Sequence, residues 1–186
     1  GMRSDWLDGT LRFNATYFDS DWEGMRVNQL PPDPDNPGSS LPFPYPTSSG
    51  IGEASGFEFD VTYLPMDNLI LTLGVGLIDT AYIERGTFDG KNGISPSSPF
   101  AYAADESFTL GAIYDMPLSN GANLAISGKY GWTGDYARDA AFQRTREDAN
   151  GNIILEPSYG ILNVRLTYTP QDANWGVSLW GNNLTD

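Results

Sequence analysis

Residues 56–83, GFEFDVTYLPMDNLILTLGVGLIDTAYI, read as strand, tight turn, strand. In the first arm Phe57, Phe59, Val61 and Tyr63 alternate with Glu58, Asp60 and Thr62. In the second, Leu69, Leu71, Leu73, Val75 and Leu77 alternate with Ile70, Thr72, Gly74 and Gly76. Successive side chains of a strand point to opposite faces, so each arm has one apolar face and one polar or small face. Pro65-Met66-Asp67-Asn68 supplies the turn. The second arm runs on until Gly86, longer than the five or six residues usual in a soluble sheet.

Composition narrows the function classes. The 186 residues include 21 glycines, and tryptophan and tyrosine number 5 and 10, which suits an all-β protein with aromatic girdles. Without cysteine there are no disulfides or thiolate metal sites. Without histidine the commonest metal ligand and general base are missing. A net charge of -14 makes nucleic acid a poor partner, because phosphates need lysine and arginine. No apolar run reaches the roughly 18 residues of a transmembrane helix, but a transmembrane barrel signals itself by alternation instead. No signal peptide is visible. Gly1 before Met2 reads as a tag-cleavage scar.

Outward from the hairpin, Arg3–Leu7 reads as the tail of a strand and Asp8-Gly9 as a hairpin turn. A strand over Thr10–Val27 follows, with Leu11, Phe13, Ala15 and Tyr17 opposite Arg12, Asn14 and Thr16. Leu30–Gly52 reads as a long loop, too rich in proline for a ladder. After the hairpin come a second long loop (Thr87–Asp105), a strand (Ser107–Asp115), a short turn (Pro117–Gly121) and a strand from Ala122 to about Tyr136. A third long loop (Arg138–Pro157), a strand (Tyr159–Tyr168), a short turn (Gln171–Asn174) and a last strand (Trp175–Asp186) complete the chain.

Short and long connections alternate strictly. Outer-membrane barrels have this form, with short periplasmic turns and long outer loops. Tyr63, Tyr114, Tyr168 and Trp175 close the apolar faces near the short turns, as an interfacial girdle would. The expected class is all-β: an antiparallel transmembrane β-barrel, a meander of about seven to eight strands. Arg12, Asn14, Glu58, Asp60, Lys129 and Arg165 are expected to face the lumen. Arg12 is further expected to lie diagonally near Asp60 as a charge pair.

Three stretches carry a family resemblance. Residues 51–84, IGEASGFEFDVTYLPMDNLILTLGVGLIDTAYIE, show a Gly-x-Glu strand, a Pro-x-Asp-x-Leu turn and a long strand with an acidic, aromatic end. Residues 107–118, SFTLGAIYDMPL, run into a glycine turn. Residues 177–186, VSLWGNNLTD, end in Asn183-Leu184-Thr185-Asp186. Together, in this order and turn spacing, they resemble the C-terminal β-barrel part of a TonB-dependent outer-membrane receptor over nearly the whole chain. The resemblance implies one partial barrel domain over 1–186, about a third of a 22-stranded barrel, with the plug domain and final strand absent.

What the resemblance implies is active import across the outer membrane of a Gram-negative bacterium. The substrate would be a scarce nutrient such as a ferric siderophore, and TonB, acting on the plug of the full-length receptor, would supply the energy. This chain would contribute wall, lumen lining and outer loops. Its partners would be outer-membrane lipid and the transported ligand; no cofactor and no enzymatic activity are implied.

Among candidate ligand residues, Arg138, Arg144 and Arg146 with Trp132 and Tyr136 below them combine guanidinium and aromatic groups. Such a set holds an anionic or cyclic ligand by bidentate hydrogen bonds and stacking. The plainer reading is solvated loop charge or contact with anionic lipopolysaccharide. Phe43, Tyr45 and Phe100 are ligand contacts or loop anchors. Asp33, Asp35 and Asn36 lack the glycine and glutamate offsets of a calcium loop. Residues 147–152, EDANGN, read more simply as a hairpin tip at Asn150-Gly151 than as a metal loop.

Other classes make different demands. A soluble carbohydrate-binding β-sandwich would stack sugar on Trp22, Trp132 or Trp180 and would need a polar outer face. A glycosidase needs two carboxylates, and Glu58 and Asp60 sit only about 6–7 Å apart on one strand with no other catalytic signal. A complete small outer-membrane barrel would require Arg3–Leu7 to span the membrane, which takes about nine to eleven residues. A fragment of a barrel keeps open edges, so the isolated chain is expected to be oligomeric through them.

Overall fold

The computed structural model describes residues 1–29, 33–37, 39, 41, 43, 45–84, 100–137, 155–172 and 174–185. Alternation of apolar and polar residues produces strands throughout: β1 (Met2–Trp6), β2 (Leu11–Gln29), β3 (Tyr45–Met66), β4 (Leu69–Glu84), β5 (Glu106–Pro117), β6 (Asn123–Thr133), β7 (Tyr159–Thr169) and β8 (Val177–Gly181). They form one 8-stranded sheet in sequence order, and each neighbouring pair is antiparallel. The protein is thus an all-β meander. Among the described residues no ladder joins β8 back to β1, so the sheet is open and a closed eight-stranded barrel is not formed.

Register sorts the two faces, because residues paired across antiparallel strands share a face. One row runs Phe13, Val61, Leu73, Leu110, Tyr130, Leu162. The adjacent row on the opposite face runs Asp5, Arg12, Thr62, Thr72, Gly111, Lys129, Asn163. The apolar face carries Phe57, Phe59, Val61, Leu71, Leu73 and Val75; Glu58, Asp60 and Thr72 lie on the other. Aromatic rings stack along the apolar face, as Phe13 on Phe59 and Phe108 on Trp132.

The ends of several elements differ from the sequence expectation. Residues 45–52, read as loop, are the start of β3, and Pro46 pairs with Asn28. The ladder between β3 and β4 reaches only Ile51. Pro46 therefore stands in a segment paired on one side, where a missing N–H is tolerated. The turn after β3 is shorter than read, confined to Asp67-Asn68. The turn at Asp8-Gly9 is a single-turn 3-10 segment, Leu7–Gly9, in which all three residues have positive φ. β6 stops at Thr133, and Tyr136 instead forms isolated bridges to Ala104 and Glu156.

The last strand is also shorter than Trp175–Asp186: β8 covers Val177–Gly181. Asn183 turns the backbone with φ 53. The N–H of Leu184 then donates to the Leu162 carbonyl at 2.9 Å, and that of Asn183 to Asn163 Oδ1 at 3.0 Å. Thr185 Oγ1 donates to the Gly160 carbonyl and accepts from the Leu162 N–H. The Asn183-Leu184-Thr185 segment thus satisfies the free margin of β7 without continuing the ladder.

A sheet exposed on both faces has little core. Among the described residues only Ala54, Tyr82, Ala122 and Ala137 are buried hydrophobics, and no large side chain is fully enclosed.

Candidate functional site

The six residues expected to line a lumen, Arg12, Asn14, Glu58, Asp60, Lys129 and Arg165, fall on one face of the sheet by register. The charge pair expected between Arg12 and Asp60 does not form. Asp5, directly opposite Arg12 on β1, takes its Nε at 2.7 Å, while Asn14 is the residue opposite Asp60. A directly opposed partner is closer than a diagonal one, which decides the pairing. Both members of the Arg12–Asp5 pair remain about half exposed.

At the long-loop end this face becomes aromatic. Gly24, with φ 71, occupies a register shift in β2 that separates Glu23 from Met25. Beyond it Met25 and Gly50 pair, and Met25 packs with Phe100 and Ala101 against buried Tyr82. The Phe100 ring meets that of Tyr82 at 4.8 Å, and its N–H donates to Thr80 Oγ1 at 3.0 Å. Gly52 is required here, since a Cβ on it would stand 2.7 Å from the Phe100 ring. Phe100 is therefore a loop anchor. The chain returning from the second long loop then follows the third: Tyr102 N–H donates to the Ala137 carbonyl, and the Tyr102 and Tyr136 rings lie 6.1 Å apart. Trp22, in register with Gly52, and Tyr102 are left exposed at this end.

Toward the short turns the same face holds a groove of about 560 Å3, lined by Ile70, Ile113, Lys129, Asn163, Arg165 and Trp180 among others. Arg165 Nη2 donates to Ser178 Oγ at 3.1 Å. Among the described residues neither Lys129 nor Arg165 has a carboxylate partner.

The expected ligand cluster is divided by the register. Trp132 lies in the row of Phe59, Val75 and Phe108, on the apolar face, with its ring stacked on Phe108 at 5.5 Å. Tyr136 stands at the long-loop end beside Tyr102. Arg138, Arg144, Arg146 and the 147–152 stretch lie outside the described residues. Phe43 is exposed, and Tyr45 opens β3. The Asp33 carboxylate accepts the Asp35 N–H at 2.9 Å, a local turn contact. Among the described residues no group of three acidic, histidine or cysteine side chains is placed to hold a metal.

Sequence reading missed Tyr82, Tyr102 and Trp180 as neighbours of the polar residues. Tyr82 shares the alternation of Thr72 and was legible by counting along β4. Trp180 joins Arg165 only through the register of β7 with β8.

The sequence model of the family described as TonB dependent receptor-like, beta-barrel, matches residues 1–184. Among solved structures, the siderophore receptor PiuA from Acinetobacter baumannii is similar at 18% identity and TM-score 0.67, over 99% of this chain and 23% of that one. BauA, the ferric preacinetobactin receptor of the same organism, is similar at 19% identity and TM-score 0.64, over 95% and 23%. The ferric-catecholate import receptor Fiu from E. coli K12 follows at 16% identity and TM-score 0.62, over 99% and 22%. The likeness at this identity is one of fold, and the chain spans about a quarter of the length of these receptors.

Proposed function

The chain belongs to the TonB-dependent receptor β-barrel family, and from that premise we propose that it forms part of the wall of an outer-membrane receptor importing a ferric siderophore. Members of the family are outer-membrane proteins, and its fold is that of transport receptors, not enzymes. In the proposed reading the apolar face meets lipid, the polar face lines the lumen, and the long-loop end faces the medium. TonB, acting through a plug in the full-length receptor, supplies the energy.

The observation that carries this reading is the height of the apolar face. Its lowest row contains Met116, Leu124, Tyr168 and Val177; its highest contains Tyr17, Phe57 and Leu77, with the charged Glu106 at its β5 end. Between them lie about five steps of two residues, roughly 34 Å along the strand, or about 26 Å at a tilt of about 40°. Outer-membrane barrels carry an apolar band of about 25 Å. Directly above it, on the same face, stand Asp19, Ser55 and Asp79, then Asp21 and Glu53, where a hydrocarbon layer has ended.

The proposed ligand surface is the long-loop end, where Trp22, Tyr102 and Tyr136 offer rings; Arg138, Arg144 and Arg146 follow Tyr136 in the sequence. Guanidinium and ring faces suit an anionic, aromatic iron chelate. In a receptor carrying these strands, Trp22→Ala with Tyr102→Ala should lower uptake of radiolabelled ferric catecholate about tenfold with unchanged surface expression. Unchanged uptake of catecholate and hydroxamate chelates alike would reject this ligand surface.

A further inference from the structure

We infer that Met25 is an oxidation site, at which a peroxide converts the thioether to a sulfoxide and thereby frees the loop segment that Phe100 anchors. The inference goes beyond the transport reading and does not depend on it.

Gly24, with its positive φ, occupies the register shift that sets Met25 opposite Gly50. The Met25 sulfur and the Phe100 ring then share one recess over the bare Cα of Gly52. A Cβ there would stand 2.9 Å from Met25 Sδ and 2.7 Å from the ring. A thioether beside a ring edge is a favourable contact. Both side chains pack against Tyr82, and the Phe100 N–H donates to Oγ1 of the buried Thr80. From this anchor the chain runs to Tyr102, whose N–H donates to the Ala137 carbonyl at 2.7 Å, and to the bridge of Ala104 with Tyr136. The sulfur thus helps to hold the segment returning from the second long loop against the one that enters the third.

Met25 is half-buried and not sealed, so a small dissolved peroxide reaches it. A lone pair of Sδ attacks one peroxide oxygen, and the S–O bond forms as the O–O bond breaks. The departing hydroxide takes the proton left on the transferred oxygen and leaves as water. Sulfur is oxidised by two electrons and the peroxide is reduced by two. A flexible apolar side chain becomes a polar one that is larger by an oxygen. That oxygen has to fit a recess already filled by the ring, and it loses water among Tyr82, Phe100 and Ala101. Moving the side chain out of the recess relieves both costs and leaves the ring without its partner. A dithiol-dependent sulfoxide reductase reverses the step, returning two electrons to the sulfur and releasing the oxygen as water. Met2, Met66 and Met116 do not belong to this cluster, and Met2 and Met66 are exposed. They take up oxygen without touching the anchor.

The test exposes the whole chain, folded in neutral detergent micelles, to hydrogen peroxide. Peptide mass spectrometry follows oxygen uptake at each methionine, and hydrogen exchange follows the Phe100 and Tyr102 amides. Exchange at both should quicken about tenfold once Met25 carries oxygen, while the Leu110 amide within β5 keeps its protection. Met25→Leu should keep the slow rate under the same exposure, although Met2 and Met66 are oxidised. Met25→Gln, polar from the outset, should exchange fast without peroxide. Unchanged protection of Phe100 in chains oxidised at Met25 would overturn the proposal. So would a Met25 that stays reduced while Met2 and Met66 are oxidised, because the sulfur would then be sealed. Quickening that persists in Met25→Leu, or that extends to Leu110, would overturn it too, since the effect would not come from this sulfur or would not be local.

Discussion

Gly52 and Phe100 show how a single missing Cβ fixes the path of a loop. The ring of Phe100 occupies the space above Gly52 and rests on Tyr82 and Met25. Gly52→Val should push the ring out and cost about 1–3 kcal/mol, as overpacking does. Hydrogen exchange at the Phe100 amide, which donates to Thr80 Oγ1, reads it directly; unchanged protection would mean that the ring is not seated there. The Arg12–Asp5 pair is the opposite case. With both side chains about half exposed, Arg12→Ala should cost under about 1 kcal/mol, and less in high salt. A loss of several kcal/mol in thermal unfolding would show that the pair is shielded in a way the open sheet does not provide.

Among elements, β2, β3 and β4 are the longest strands described, at 19, 22 and 16 residues. Only about nine to eleven residues are needed to cross a membrane, so these strands should rise beyond the lipid and carry the aromatic inner surface. Spin labels in lipid bilayers test the parity. Labels at 57 and 59 should collide with oxygen and those at 58 and 60 with a water-soluble reagent; the reverse pattern would refute the assignment of faces. At the other end, β8 gives way to a turn whose backbone and side chains hold β7. Asn163→Ala with Thr185→Val removes bonds to Asn183, Leu162 and Gly160. At about 1 kcal/mol for each bond, amide exchange at Leu162 and Asn183 should quicken about tenfold or more. Unaltered exchange would mean that β7 is held by its ladders alone.

Among the described residues the chain is a sheet with two open margins, β1 and β8, and one apolar face. In water neither the margins nor that face can be satisfied within one chain. Closing the sheet on itself would crowd Arg12, Glu58, Asp60, Lys129 and Arg165 into a narrow interior at a high desolvation cost. The isolated chain is therefore expected to be an oligomer or to bind detergent, pairing through its margins. Because each chain carries a charge of -14, added salt should promote that association by screening repulsion. Light scattering gives the outcome: a detergent-free monomer that unfolds cooperatively would show that the chain closes on itself.

Alternation is a local property, so the sequence by itself determined the strands, the antiparallel meander, the two faces and even the shared face of Arg12, Asn14, Glu58, Asp60, Lys129 and Arg165. Parity needs only counting from one residue to the next. Partners across the sheet need register, which depends on bulges, turn geometry and where each neighbour stops. For that reason only the tertiary structure decided that Arg12 meets Asp5, that Pro46 enters a ladder left unpaired on one side, and that Trp180 stands beside Arg165. It also decided that the Trp132 ring stacks on Phe108 and that Phe100 anchors a loop over Gly52. These contacts join residues far apart in the chain, and no pattern along one strand records them.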